Sequence, residues 1–244
     1  QRRRAGERRG MSASLDAVRA FLEERHHDLA GRVGGFCDRV VRPLPEPADD
    51  DDGRVQAREL LDWMGGAGLY APIGDLDLRG ICLTRELVAA ASPLADAVVA
   101  LQALSITPLL LSGNAEMHEA WAEPALRGAA VGAFAMTEAE AGSDVAALAT
   151  TARRDGDHYV LDGAKTLISN AGIADFYVVF ASTDPERGTK GLSAFVIGAA
   201  TPGLRFAGAQ VMASPHPIGE IVLQECRVPA ACRLDDEGAG LRLG

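Results

Sequence analysis

The chain has 244 residues, 48% hydrophobic and 24% charged, with a formal net charge of −10. That apolar content suffices for one large core or two modest ones, and the acidic balance argues against nucleic acid, whose phosphates would meet a field of their own sign. Cys37, Cys82, Cys226 and Cys232 are scattered without disulfide or metal-ligand spacing, so reduced thiols in a cytoplasmic protein with no metal are expected.

The chain opens with "QRRRAGERRG", five arginines in ten residues with no apolar period. Residues 1–13 read as a disordered basic arm, either an upstream linker with Met11 as the natural initiator or a targeting arm. Leu15, Val18, Leu22, Leu29, Val33, Phe36 and Val40 then recur at helical spacing and predict a helix from Leu15 to Val41, closed by "RPLPEP". The acidic run "ADDDDG" reads as a solvated loop before a second helix through "VQARELLDWMGGAGLY". A third covers "RGICLTRELVAAAS". Ser92 and Pro93 supply the cap and first-turn proline of a fourth, running to about Ser112. Its apolar stretch carries Asp96, Gln102 and Pro108, which fits a buried bundle helix and no membrane span. A fifth runs from a cap at Asn114 to a stop at Gly128.

Beyond Gly128 the pattern changes to short runs rich in Val, Thr, Tyr and Phe between Asp-Gly and Pro-Gly turn signals. "ATTARRDGDHYVLDGAKTLISN" reads as three strands with turns at Asp155-Gly156 and Asp162-Gly163. "DFYVVFAS", "LSAFVIG", "LRFAGAQ" and "IGEIVLQECRV" continue the series. An α+β chain is expected, with a helical layer followed by a small antiparallel β-barrel or sandwich.

No signature of a nucleophilic, zinc-hydrolytic, phosphate-loop or dinucleotide site is present. His26 and His27 fall on a polar helix face, and His118, His158 and His216 stand alone. One stretch stands out. In "AFAMTEAEAGSD", residues 133–144, a strand feeds a loop ending in small and hydroxyl residues. Its backbone amides are placed either to cradle a phosphate or the polar edge of a heterocycle, or to form a tight turn capped by Ser143 and Asp144.

That stretch, with "GAKTLISN" at residues 163–170, resembles the middle domain of the acyl-CoA dehydrogenase family, whose pattern is T-E-x-x-A-G-S-D followed by G-x-K-x-W-I-T-N. The likeness continues through "KGLSAFVIGAATPGL" and "IVLQECRVPAACRLDDEGAGLRLG", and the five helices before it agree with the family's N-terminal domain. The resemblance implies an N-terminal helical domain over 14–130, a β-barrel domain binding FAD and acyl-CoA over 131–236, and the opening of a C-terminal helical domain over 237–244.

The family oxidises acyl-CoA thioesters to trans-2-enoyl thioesters, passing hydride to flavin N5. Carried over, Phe134, Ala135, Met136 and Thr137 line the flavin, Gly142 and Ser143 serve its pyrophosphate, and Ser143 also borders the acyl-CoA channel. Leu167, Ile168 and Ser169 stand in place of W-I-T on the other side of the ring system; Ser169 keeps the hydroxyl near N5, and Leu167 lacks the indole. Met212 replaces an arginine found in many members, and the "SPHP" insert leaves His216 either a loop residue or one facing the CoA channel.

The family's catalytic base is a glutamate of the C-terminal helical domain, which would lie beyond Gly244, so no catalytic residue is expected in this chain. Glu138 belongs to the T-E turn, and Glu140 sits at a variable position. The chain alone is therefore expected to bind FAD weakly and not to turn over acyl-CoA. Electron-transfer flavoprotein is the implied partner, and a homo-oligomer, a tetramer, the implied assembly. Two other readings compete: a flavin enzyme of the same fold acting on other substrates, such as a nitroalkane oxidase or monooxygenase, and a non-catalytic subunit completing a site with a partner chain.

Overall fold

Capping chemistry decides where the first helices begin. In the computed structural model, which describes residues 18–214 and 216–244, α1 spans Glu24–Phe36 and continues as a π-turn through Cys37–Val41. It starts later than its apolar spacing predicts. Glu23 and His26 form a reciprocal capping box, with the Glu23 amide donating to His26 Nδ1 at 2.9 Å, and Arg19–Phe21 is only a 3₁₀ turn. Leu15 and the basic arm of residues 1–13 lie outside the described residues. His26, expected on a polar face, is buried, because both ring nitrogens are engaged: Nε2 lies 3.0 Å from the carboxylate of Asp77.

The acidic run is likewise part of a helix. Helix α2 spans Asp50–Gly66; Asp49 caps it by accepting from the Asp52 amide at 2.9 Å, and Asp50, Asp51 and Asp52 fill the first turn. Carboxylates are stabilised there by unpaired amides and the helix dipole. A short helix α3, Ala71–Gly74, and α4, Leu78–Ala89, follow. Helix α5, Pro93–Ser112, has the predicted Ser92 cap, its hydroxyl accepting from the Ala95 amide at 3.3 Å. It is long and apolar enough to cross a membrane by composition, but its contacts are those of a core helix, packing on α2, α4 and the first strand. The last helical segment before the sheet runs from α6, Ala115–Met117, through a π-turn to α7, Glu123–Leu126, with Asn114 as its cap.

The sheet follows. Its strands are β1 (Gly132–Ala135), β2 (Thr151–Asp155), β3 (His158–Ser169), β4 (Phe176–Ser182), β5 (Leu192–Gly198), β6 (Leu204–Ala209), β7 (Ile218–Pro229) and β8 (Arg233–Leu234). They are joined in the order β6-β7-β3-β2-β4-β5-β8. Every residue of β4 is buried, as its unbroken apolar run requires of a strand covered on both faces. The pairing is not wholly antiparallel. β1 runs parallel to β4, Gly132 opposite Phe176, because the chain enters the sheet from the helical layer alongside β4 rather than through a hairpin.

Asp162-Gly163 does not turn the chain. β3 passes straight through it with a bulge against β7, where the Asp162 carboxylate accepts from the Glu225 amide at 2.7 Å. Gly163 is there for room: a Cβ would stand 2.4 Å from Thr150 Oγ1. A short α8, Gly240–Leu243, ends the chain against β5.

Polar side chains weld the helical layer to the sheet. Gln102 on α5 donates to the carbonyls of Ala125 and Ala130 at 2.9 and 2.7 Å and accepts from the Gly132 amide at 3.2 Å, all buried. Arg54 on α2 donates to the carbonyls of Ala171 and Ile218 at 2.7 and 2.6 Å, and Arg58 grips the Asp175 carboxylate at 2.9 and 3.0 Å. These bonds fix where β1 leaves the helices and where β3 ends.

Candidate functional site

Two segments singled out by sequence meet at one edge of the sheet. As β1 ends, the Thr137 carbonyl accepts from the Thr166 amide of β3 at 3.0 Å, so the 134–137 run lies beside the approach to residues 167–169. Ala135 is buried, whereas Phe134, Met136 and Thr137 are half-buried. Phe134 packs on Phe180, ring centroids 4.8 Å apart, with its strand fixed against β4.

A buried ion pair holds the turn that follows. The Glu138 carboxylate lies 2.8 Å from Lys165 Nζ and accepts from the Ala149 and Thr150 amides at 2.7 and 3.0 Å, and from the Thr150 hydroxyl. Lys165 Nζ also donates to the Met136 carbonyl at 3.0 Å. Burial opposes ionisation of Glu138, but the bonds from Lys165, Thr150 and Ala149 outweigh it and hold its pKa below the usual carboxylate value. Burial pushes Lys165 down to about 8 against the pull of Glu138. Both are charged at pH 7, each the other's compensation. Glu138 is thus an anchor. The signal was the pairing of T-E with the lysine of "GAK", which sequence reasoning did not connect.

Gly142, Ser143 and Asp144 sit on the exposed outer arm of this turn. Asp144 does the capping, accepting from the Ala146 amide at 3.1 Å at the head of the 3₁₀ turn Val145–Ala147. Gly142 has nothing within 4 Å of where a Cβ would stand. Neither packing nor a left-handed backbone demands glycine here, so its bare peptide is open to something from outside.

On the other segment, Ile168 is buried, Ser169 half-buried and Leu167 57% exposed. Leu167 takes a left-handed φ of 55° at a bulge between β3 and β7, and its amide donates to Gln210 Oε1 at 3.0 Å. Left-handed backbone at a branched, non-glycine residue costs about 1–2 kcal/mol and gathers at functional turns. The Ser169 hydroxyl lies 2.8 Å from His216 Nε2, a link that sequence gave no means of seeing. Burial, and to a lesser degree Arg54, push His216 below its ordinary pKa.

A cavity of about 350 Å³ beside the anchor is bordered by Glu138, Glu140, Thr150, Lys165, Thr166 and Glu220. A larger one, about 520 Å³, lies between α2 and residues 128–131 and shares no residue with the predicted site.

Residues 133–226 match the family described as acyl-CoA dehydrogenase, middle domain. Over that stretch the chain carries the acyl-CoA dehydrogenase middle domain. It is similar to a 3-(aryl)acrylate reductase of Clostridium sporogenes, 33% identical over 85% of this chain and 57% of that one. It is also similar to the human mitochondrial short-chain specific acyl-CoA dehydrogenase, 31% identical over 91% of this chain and 56% of the relative. The solved butyryl-CoA dehydrogenase of Megasphaera elsdenii superposes with a TM-score of 0.80 at 27% identity, covering 91% of this chain and 61% of that one. The chain therefore spans less than two thirds of each relative's length. Against the acyl-CoA dehydrogenase pattern, the turn 137–144 keeps its residues, while the segment 167–169 loses its tryptophan and Met212 stands exposed where many members have arginine.

Proposed function

We propose that this chain forms the flavin-bearing wall of an FAD-dependent dehydrogenase that converts an acyl-CoA thioester to its trans-2-enoyl-CoA. The observation that carries the reading is the Thr166 amide to Thr137 carbonyl bond, which sets the 134–137 strand and the 167–169 turn side by side, with the uncrowded peptide of Gly142 on the same turn. The residues fit the cofactor: apolar Phe134, Ala135 and Met136 to lie against a ring, Thr137 and Ser169 hydroxyls to meet its heteroatoms, and Gly142 and Ser143 to serve a pyrophosphate.

Bound FAD supplies a hydride acceptor at N5. The chain's own residues orient and shield. The Lys165–Glu138 pair locks the turn that carries Thr137, Gly142 and Ser143, and Ser143 also borders the path proposed for the CoA thioester. Glu138, buried and fully engaged, is not free to take a substrate proton. We assign electron-transfer flavoprotein as electron acceptor, a homo-oligomeric assembly and a cytoplasmic setting on family grounds, and place the boundary between the helical and β domains at 130/131.

The test is titration of the chain with FAD, followed by quenching of flavin fluorescence. Thr137→Ala and Ser169→Ala are each expected to weaken binding by about tenfold, equivalent to about 1.4 kcal/mol, with far-ultraviolet circular dichroism unchanged. Wild-type affinity in both variants overturns the wall. Addition of butyryl-CoA and longer thioesters to the FAD-bound chain is expected to perturb the flavin spectrum, and Ser143→Ala to reduce that perturbation.

A further inference from the structure

The turn at 167–170 is fastened from outside by the connection between β6 and β7. Gln210 Oε1 accepts from the Leu167 amide at 3.0 Å, His216 Nε2 meets Ser169 Oγ at 2.8 Å, and the Pro217 carbonyl accepts from the Asn170 amide at 2.6 Å. Of these three, only the middle one involves an atom that the proposed function uses. His216 comes from the "SPHP" stretch, is half-buried, and is followed by Pro217, whose ring restricts the backbone before it.

We infer that His216 is a positioning residue that sets which way the Ser169 hydroxyl points. The inference rests on the flavin reading above. A serine hydroxyl has one hydrogen and two lone pairs, and a histidine nitrogen either accepts or donates. Where Nε2 accepts, it takes the Ser169 hydrogen and leaves a lone pair toward the open side. Where Nε2 carries a hydrogen, it donates to Ser169 Oγ and frees the O–H to donate outward. The partner proposed for this hydroxyl, flavin N5, accepts a hydrogen bond in oxidised flavin and carries a hydrogen in two-electron-reduced flavin, so the hydroxyl's polarity bears on which redox form it favours.

The surroundings bias the choice. Arg54 of α2 is the charged group acting on His216; it is held by Asp50 at 2.6 Å and by two backbone carbonyls, so its charge is fixed in place. The acid carried by β7 at this corner, Glu220, is occupied by the Thr166 hydroxyl and the Gln210 amide at 3.0 and 3.1 Å. Burial and the Arg54 charge therefore favour the neutral ring, and from its Nδ1–H tautomer, in which Nε2 accepts from Ser169, protonation on acidification turns the Ser169 O–H outward.

Two measurements test this on the chain as it stands. In the flavin-free protein, the His216 imidazole is followed by ¹⁵N–¹H correlation through pH 5 to 8, assigned by its loss in His216→Asn. Ser169→Ala is expected to displace its titration by about half a pH unit or more. With FAD added to saturation, the visible band of bound oxidised flavin is expected to shift with a midpoint matching that of His216, and to stay flat in His216→Asn and in Ser169→Ala. An unchanged His216 titration in Ser169→Ala overturns the inference, and so does a pH-dependent band that survives in His216→Asn. Absence of any FAD binding by the wild-type chain overturns the flavin reading, whereas FAD binding with an unchanged His216 titration in Ser169→Ala overturns the positioning role alone, which distinguishes the two failures.

Discussion

The two turns that meet at the candidate site are held by different physics. Residues 137–144 hang on a buried ion pair, with Lys165 fully and Glu138 almost fully out of solvent, while residues 167–170 hang on neutral hydrogen bonds from a partly exposed connection. A buried charge tolerates no partial loosening, because removing one partner leaves the other uncompensated. Neutral bonds at a half-exposed edge exchange with water and are altered one at a time. The first turn is therefore a fixed frame, and the second is the part that substitutions can retune. The departures from the family pattern, Leu167, Met212 and the "SPHP" stretch, all fall on the second side.

If that contrast is right, the largest effect comes from Lys165→Met. It strands the Glu138 carboxylate in the core, and urea unfolding is expected to show a loss of about 3–5 kcal/mol. The double variant Glu138→Gln with Lys165→Met loses less than Lys165→Met alone, since no charge is left unpaired. A double variant no better than the single one breaks the frame argument. The same pair gives a pH signature. Glu138 titrates below its unfolded value, so on acidification the unfolded chain takes up the proton first. Stability from this group is present above the carboxylate range, about pH 4–5, and is lost as the pH falls through and below it. Glu138→Gln is expected to flatten that part of the profile.

Next in size is Gly163→Ala, which pushes a methyl group toward Thr150, whose hydroxyl and amide both serve Glu138. Overpacking of this kind costs about 1–3 kcal/mol. The loss is expected in thermal unfolding, together with weaker FAD binding, because the frame moves. Wild-type stability in this variant would mean that β3 passes Thr150 with room to spare.

These same residues show what was legible in the sequence. The alternation of helical and strand periods gave the order of elements, because it rests on local spacing, and the resemblance of T-E-x-x-A-G-S-D and G-x-K to a family pattern marked both segments without joining Glu138 to Lys165. What the sequence hid was tertiary. His26 looked exposed because a periodicity count does not see Asp77 arriving 51 residues later. The Asp49–Asp52 run looked like a loop because composition does not distinguish solvated acids from acids capping a helix. Asp162-Gly163 carries a turn signal, yet the glycine answers to Thr150, just before β2, rather than to a bend. The Ser169–His216 contact depends on a connection whose path no motif encodes.

The smaller effects belong to the adjustable side. Gln210→Ala removes the acceptor of the Leu167 amide and one partner of Glu220, at a solvent-accessible edge, so its stability cost should stay near 0.5–1.5 kcal/mol. Its expected signature is a several-fold weaker grip on FAD at a modest stability cost, against the large stability loss of Lys165→Met.

Leu167→Trp is the smallest change in stability and the sharpest test of the comparison. The side chain at 167 is already 57% exposed, so a larger one meets no packed core, and the change in unfolding free energy should stay within about 0.5 kcal/mol. The left-handed φ is already accepted by a branched residue, so the backbone is asked for nothing new. An indole there adds aromatic area beside Thr137 and Ser169, worth about 0.5–1.5 kcal/mol against a stacked partner, and FAD should bind about two- to tenfold more tightly. Tighter FAD binding with no change in folding marks this turn as the adjustable half of a flavin wall. If the indole instead destabilises the fold as Gly163→Ala does, the turn is as rigid as its neighbour, and the division between frame and adjustable edge fails.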